Sequence, residues 1–217
     1  MKPIRATCRA TLQTLSVSKA HFKAAKHNWL IIAATGLFLL FEPAASAILQ
    51  YDRVLIEANW QIWRLVTSHW VHLGLNHWLM NALGFGLITL IFQQEQSTYR
   101  DLCVFFTLSL AISLLIYVFS VDIGRYVGLS GVIHGYFVYY LAVGARQTPI
   151  LCVVGWGCTL AKVVNEQLAH YDGSHTAELI GGLVAYDAHL YGFICGTLIG
   201  IIFLYSDRHQ IFSKAKR

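Results

Sequence analysis

The segment that decides the fold is residues 183–205, LVAYDAHLYGFICGTLIGIIFLY, a long apolar run that includes one histidine, His189. It is longer than the roughly 20 residues that an α-helix needs to cross the hydrocarbon core of a bilayer. On a helical wheel Gly192, Gly196 and Gly200 fall within about 60° of His189. Small residues spaced by four let a second helix approach closely within a membrane. The segment therefore predicts a spanning helix that packs against another helix along the stripe that carries His189.

The same apolar character extends over most of the chain. Of its 217 residues 56% are hydrophobic and 12% are charged, whereas a soluble domain carries roughly 25% charged residues. Too few polar side chains remain to cover a soluble globule, so we expect an all-α membrane protein with six transmembrane helices. The six apolar runs are residues 29–49, 75–93, 102–120, 130–145, 150–165 and 183–205. They form a membrane domain over 29–205, between a basic tail at 1–28 and a second basic tail at 206–217.

Composition also limits the ligands. The net charge is +5, but nearly all the basic residues lie outside the apolar runs, where they act as topology signals, so we expect lipid and no nucleic acid as a partner. The five cysteines are scattered and form neither a CxxC pair nor a zinc spacing. We expect no metal and no other cofactor.

The distribution of Lys and Arg predicts the orientation, because cytoplasmic segments of membrane proteins carry an excess of cations. With the N-terminus inside, the segments that would face the cytoplasm hold twelve Lys and Arg residues, and the opposite segments hold Arg53, Arg64 and Arg125. We therefore expect both termini in the cytoplasm. Lys162, near the outer end of the fifth helix, would extend toward the surface or pair with Glu166 one turn later.

A serine at the start of the fourth helix is a candidate nucleophile. Polar groups within a bilayer are costly, and each is a functional candidate by default. Ser130 lies between Gly128 and Gly131, where its hydroxyl has little steric cover. The helix is short and should begin below the outer surface, where irregular backbone is tolerated only beside a water-filled cavity. Alone, this small-residue run is weak evidence, since such runs also serve helix packing.

The second helix supplies a pair of donors. His77 and Asn81 are four residues apart, so their side chains share one face and can point at one spot. Donors aimed at a developing negative oxygen are what an oxyanion hole requires. The structural alternative is a polar pair that joins two helices by hydrogen bonds.

In order, spacing and helix position, this set of residues resembles the rhomboid family of intramembrane serine proteases. The residues that carry the resemblance, spread over about 51–200, are Trp63-Arg64, His72, His77, Asn81, Gly128-Leu-Ser130-Gly131 and Ala188-His189 with Gly192 and Gly196. Within that family, Tyr51-Asp52-Arg53 and the run Gly128-Leu-Ser-Gly-Val-Ile-His-Gly135 are most similar to rhombosortases.

The resemblance implies a six-helix core in which Ser130 is the nucleophile and His189 the base of a catalytic dyad. It implies an oxyanion hole formed by the Ser130 backbone N–H with the side chains of His77 and Asn81. In the rhombosortase subgroup it further implies exported substrates with a C-terminal sorting tail, which consists of a glycine-rich motif, one spanning helix and a basic end. The protein would then lie in a bacterial inner membrane, with its active site open to the periplasm.

One position departs from the family pattern. Many rhomboids carry a tyrosine that stacks on the catalytic histidine where this chain has His134. His134 would either stack on His189 or compete with it as base, and we favour His189 as base because the glycine stripe brings it close on a separate helix. Asp187, two residues before His189, lies on roughly the opposite helical face and is left out of the site.

Two other functions fit parts of the sequence. Ten histidines, among them His69, His72 and His77, would suit a metal or haem membrane protein, although no HExxH motif is present. An inactive rhomboid relative would bind spanning helices without cutting them, and the intact Ser130 and His189 argue against it.

The cation distribution gives a testable topology. We expect reporter fusions after residue 28, within 94–100 and at the C-terminus to report the cytoplasm, and fusions within 166–182 to report the outside. Alkaline phosphatase and green fluorescent protein fusions at each site would measure this. A C-terminus that faces outward would contradict the six-helix arrangement.

Overall fold

The computed structural model describes residues 26–92 and 97–215, with side chains as far as residue 206. Over these residues the chain is mostly helical, with ten α-helices, two 3₁₀-helices and one two-stranded antiparallel ribbon. The α-helices are Lys26–Phe38 (α1), Ala44–Leu49 (α2), Arg53–Asn59 (α3), Arg64–Thr67 (α4), Leu75–Ile91 (α5), Thr98–Phe119 (α6), Ser130–Gly144 (α7), Pro149–Glu166 (α8), Ser174–Ile180 (α9) and Tyr186–Ala215 (α10). The 3₁₀-helices are Leu39–Phe41 and Ser68–Trp70, and the strands are Tyr51–Asp52 (β1) and Arg125–Tyr126 (β2).

The predicted helical class is confirmed. Within the described ranges, two helices are long and apolar enough by themselves to cross a membrane, namely α6 and the part of α10 over Tyr186–Ser206. The segment Lys26–Phe41 and helix α5 are apolar but shorter. Helices α5 to α8 begin and end within four residues of the predicted apolar runs. The count of six spans stays a prediction.

The prediction of one continuous helix over 29–49 is wrong. Helix α1 ends at Phe38, a 3₁₀ turn follows, and Glu42 is extended with φ −72° and ψ 143°. Pro43 explains the break, because proline lacks the N–H that a helix needs and favours extended backbone in the residue before it. A new helix, α2, then begins at Ala44, and the Glu42 carboxylate accepts a hydrogen bond from the Ser46 N–H at 3.3 Å. The apolar character of the run concealed the effect of its single proline.

The structure describes the two predicted tails only in part. Residues 1–25 of the N-terminal tail lie outside the described residues, and 26–28 belong to α1. Helix α10 begins at Tyr186, three residues later than predicted. Its backbone stays helical to Ala215, so most of the segment predicted as a C-terminal tail continues this helix.

Two arginines hold the long segment between α2 and α5 in place. Arg64 is 3% exposed and donates to the carbonyl oxygens of Ala47 and Gln50, both at 2.8 Å. These groups lie at the C-terminal end of α2, where carbonyls have no partner within the helix. Arg53 donates to the Ile116 carbonyl at 3.1 Å, near the end of α6. Two of the motifs behind the family resemblance therefore cap helix ends with charge-assisted hydrogen bonds.

Helices α7 and α10 pack with their backbones in direct contact. A Cβ atom placed on Gly192 would meet the carbonyl oxygen of Gly131, and one on Gly196 would meet the carbonyl oxygen of Gly135. In the opposite direction, a Cβ on Gly131 would lie 2.7 Å from the Ala188 carbonyl oxygen. Only glycine fits at this distance. The glycine stripe seen in the sequence lies where the two helices meet.

The contact between α7 and α10 can be tested with a matched pair of glycine substitutions. We expect Gly196→Leu to force the helices apart and to destabilise the protein by about 1–3 kcal/mol or more, as overpacked cores do. Gly157→Leu in α8 is the control, because a Cβ there has nothing within 4 Å. Thermal unfolding in detergent measures both variants. Equal melting temperatures would contradict the contact.

Candidate active site

The structure brings Ser130 and His189 into contact. Ser130 is the first residue of α7, and His189 lies in the first turn of α10. The Oγ of Ser130 is 3.0 Å from Nε2 of His189. The imidazole is 6% exposed, whereas the serine is half-buried. A hydroxyl and an imidazole at this distance form the minimal pair for nucleophilic attack.

The loop before Ser130 is fixed by an unusual glycine. Gly128 has φ +113°, a conformation that only glycine adopts without strain. A Cβ there would also lie 2.6 Å from Cε1 of His77. The Gly128 N–H donates to the Ser68 carbonyl at 3.1 Å, and its carbonyl accepts from the Tyr126 hydroxyl at 2.8 Å. The position of Ser130 is therefore set by backbone geometry as well as by the helix that follows.

A buried histidine supports that loop from behind. His69 lies between two carbonyl groups, with Nδ1 3.2 Å from the Gly128 oxygen and Nε2 2.9 Å from the Ser109 oxygen. Burial lowers the pKa of His69 to about 4 and that of His72 to about 3. The His72 ring meets the His77 ring edge-on, at 5.0 Å between centroids. These histidines are structural supports of the site.

His77 and Asn81 both point toward Gly128, the residue two before Ser130. A Cβ on Gly128 would lie 2.7 Å from His77 Nε2 and 3.7 Å from Asn81 Nδ2. Nδ1 of His77 accepts from the Leu73 N–H at 3.3 Å, which leaves Nε2 as the donor. Asn81 Nδ2 is buried without a hydrogen-bond partner among the described residues. A buried unpaired donor is costly, and such a group calls for a ligand that completes it.

His134 stacks on His189. The ring centroids are 4.3 Å apart and the planes differ by 20°. Nδ1 of His134 is 2.7 Å from the Ser130 carbonyl oxygen, so Nδ1 carries the proton and donates. Nε2 then accepts from the Lys162 ammonium at 3.0 Å. With both nitrogens engaged in this way, His134 is unsuited to take the proton from Ser130, and of the two roles considered for it the geometry favours stacking.

An acidic residue that sequence reasoning missed lies on the other side of His189. Glu166, the last residue of α8, is 8% exposed, and its Oε2 is 3.0 Å from Nδ1 of His189. Its Oε1 accepts from Lys162, the pairing considered from the sequence. The one signal in the sequence was a carboxylate one turn after a lysine in an apolar helix. That signal does not reveal which helix the carboxylate faces.

Asp187 faces away from the site, as its helical position indicated. Its Oδ2 accepts a hydrogen bond from Ser120 Oγ at 2.5 Å. The same hydroxyl is 2.9 Å from the Tyr191 hydroxyl. Asp187 therefore ties the start of α10 to the end of α6.

One group of side chains has the spacing of metal ligands. Over the described residues, the ligand atoms that converge within 4.8 Å of one another belong to His134, Glu166 and His189. The three histidines within 69–77 do not form such a group. The ammonium of Lys162 already contacts both His134 Nε2 and Glu166 Oε1, so a metal ion would have to displace it. The chain supplies its own cation, which favours an ion-pair network over a metal centre.

Ser130 is reached by two cavities. The first, of ≈ 110 Å³, is lined among others by Leu73, His77, Tyr126, Ser130 and Leu183. The second, of ≈ 290 Å³, is lined among others by Asn81, Ser130, Lys162, Glu166 and His189. A substrate can therefore approach Ser130 from either of these cavities.

Comparison with known proteins identifies a family for the chain. A search of curated protein sequences gave no match. The family model described as Rhomboid domain matches residues 59–206, which include every residue of the site. Rhomboids are integral membrane proteins, in general serine proteases that act on membrane protein substrates within the bilayer. Because the match covers more than half of the chain, the protein belongs to the rhomboid family.

Proposed function

We propose that this protein is an intramembrane serine endopeptidase in which Ser130 is the nucleophile and His189 the general base. The observation that supports this most directly is the 3.0 Å contact between Ser130 Oγ and His189 Nε2. The two residues come from different helices whose backbones touch, so the contact is held by packing. The two cavities that Ser130 lines would give a peptide access to it.

The chemistry follows serine-hydrolase logic. His189 Nε2 accepts the proton of Ser130 Oγ as the oxygen attacks the peptide carbonyl carbon. The C–N bond then breaks, the amine leaves with the proton from His189, and an ester to Ser130 remains. Water attacks the ester, giving its proton to His189. The bond between the carbonyl carbon and Ser130 Oγ then breaks, Oγ takes the proton back from His189, and the carboxylic acid product leaves.

Three donors would stabilise the negative oxygen of the tetrahedral intermediate. They are His77 Nε2, Asn81 Nδ2 and the backbone N–H of Ser130. As the first residue of α7, Ser130 has no carbonyl one turn earlier in the helix to receive its N–H. The unpaired amide of Asn81 supports this role, because an oxyanion would complete its hydrogen bonding.

For the substrate, we propose an exported protein with a C-terminal sorting tail, as in the rhombosortase subgroup. Cleavage near its glycine-rich motif would separate the protein from its spanning helix and basic end. The small cavity beside Ser130, ≈ 110 Å³, suits residues without large side chains. The experiment that tests the function is co-expression with such a substrate, which wild type should shorten and Ser130→Ala should leave intact.

The proposed setting is a bacterial inner membrane, with six spans, both termini in the cytoplasm and Ser130 open to the periplasm. The distribution of cations in the sequence supports this orientation. The alternative is an inactive relative that binds spanning helices. The short Ser130–His189 distance favours catalysis, since helix binding alone does not require a nucleophile beside a base.

The first prediction of this proposal concerns the pair of Ser130 and His189. We expect Ser130→Ala and His189→Ala each to abolish cleavage, and the double variant to be no worse than either, because the residues act as one unit. His170→Ala is the control, since His170 is exposed and outside the site. Cleavage of the tail-bearing substrate measures all four. Substantial activity in His189→Ala together with loss in His134→Ala would move the base to His134.

The second concerns the oxyanion donors. We expect Asn81→Ala and His77→Ala to lower turnover roughly tenfold to a hundredfold, somewhat less than the 10²–10³ typical for one donor, because two donors remain. Both variants should still be labelled at Ser130 by a small fluorophosphonate.

Asn76→Ala is the matched control, because Asn76 lies on the same helix, donates to the Leu179 carbonyl at 3.0 Å and lines neither of the two cavities at Ser130. It should lower the melting temperature without changing turnover per labelled site. The same behaviour in Asn81→Ala and His77→Ala would remove the oxyanion assignment and leave the Ser130–His189 pair intact.

A further inference from the structure

We propose that Glu166 is a positioning residue that selects the active tautomer of His189, and that Lys162 holds the carboxylate in place for this task. The inference rests on the proposed protease function. It extends the predicted dyad to a chain of residues on three helices.

Glu166 determines which nitrogen of His189 carries the proton. A carboxylate only accepts hydrogen bonds, so its contact with Nδ1 at 3.0 Å places the ring proton on Nδ1. Nε2 then keeps its lone pair and faces Ser130 Oγ at 3.0 Å. A neutral imidazole can act as base toward Ser130 only in this tautomer. The imidazolium that forms during attack is also stabilised by the adjacent negative charge.

The carboxylate is buried, and its charge needs a partner there. The Glu166 side chain is 4% exposed, and an unpaired ion at such a place is costly. Lys162, one turn earlier on α8, supplies that partner through Glu166 Oε1. Its own side chain is half exposed, so the ammonium keeps access to solvent while it binds the carboxylate.

The contacts close into a ring of five residues. From Ser130 Oγ they pass through His189, Glu166, Lys162 and His134, and they return to Ser130 at its carbonyl oxygen. The ring joins α7, α8 and α10. The other titratable groups near His189 are Tyr186, whose ring is 5.9 Å from the imidazole, and His77 on α5. Apart from the Glu166–Lys162 pair, none of the groups named here carries a fixed charge.

The ring of five residues predicts a specific effect of the substitution Glu166→Gln on His189. Lys162 can only donate hydrogen bonds, so it would donate to the amide oxygen of Gln at position 166. The NH₂ group of that amide would then face Nδ1 of His189. Nδ1 would then have to accept, and the ring proton would move to Nε2, where it blocks the reaction with Ser130. We expect kcat to fall about 10²-fold or more, within the range of a general base, with KM changed less than about twofold.

A second substitution separates this role from a structural one. In the double variant Glu166→Gln/Lys162→Met the amide is free to turn, and its oxygen can accept from Nδ1–H. We expect kcat to recover about tenfold over Glu166→Gln alone, since the active tautomer is restored. If the ion pair were merely structural, kcat would not recover in the double variant and would fall further, because the second change removes another polar group.

Turnover per fluorophosphonate-labelled site, with kcat and KM separately, is measured for Glu166→Gln, Lys162→Met and the double variant, and cleavage per mole of protein is measured for Ser130→Ala. Glu178→Gln is the control for loss of one negative charge, since Glu178 is exposed on α9. Wild-type kcat in Glu166→Gln, or no recovery in the double variant, would overturn the inference even where the single variant is unstable. Cleavage by Ser130→Ala would instead overturn the proposed protease function itself.

Discussion

Where α7 and α10 touch, the carbonyl oxygens of Gly131 and Gly135 occupy the space that a side chain on α10 would fill. Helix association in lipid gains little from the hydrophobic effect and depends on close packing between small residues. The contact places Ser130, one residue before Gly131, level with His189, three residues before Gly192. The reacting pair is therefore positioned by two backbones, which move less than side chains do. The remaining parts of the site are arranged around this fixed distance.

Nearly every polar group around Ser130 is engaged by another group of the site. The Gly128 loop is held by Ser68, Tyr126 and His69, and the two imidazoles of the site are held by Glu166 and Lys162. Buried polar networks are stabilising only when their members are satisfied. Among the described side chains near Ser130, Asn81 Nδ2 is one of the few unpaired atoms, together with the two ring nitrogens of His72 and the Tyr186 hydroxyl. Asn81 lines the same cavity as Ser130, which agrees with its proposed role as a donor to the substrate.

Features of the fold and the site that depend on neighbouring residues in the sequence could be predicted, whereas those that depend on contacts between distant helices could not. Runs of apolar residues gave the bounds of α5 to α8, because span length and helix period are local properties. Spacing along single helices also gave Ser130, His189, His77 and Asn81 as candidates. The break at Pro43 was missed because an average over an apolar run hides one residue. Glu166 was missed for a different reason, since its partner lies on another helix and the angle between α8 and α10 is not encoded in either segment alone.

Helix α8 connects the site to its surroundings. Besides the contact between Glu166 and His189, Trp156 Nε1 of α8 donates a hydrogen bond to Thr197 Oγ1 of α10 at 3.0 Å. A mainly apolar cavity of ≈ 300 Å³ lies beside that hydrogen bond. Several of its side chains, among them Ile150, Leu151, Val153 and Val154, are exposed and apolar. In a bilayer these would meet acyl chains directly. The carboxylate that touches the imidazole stands at the end of α8, so the electrostatic field at the base depends on how α8 packs against α10.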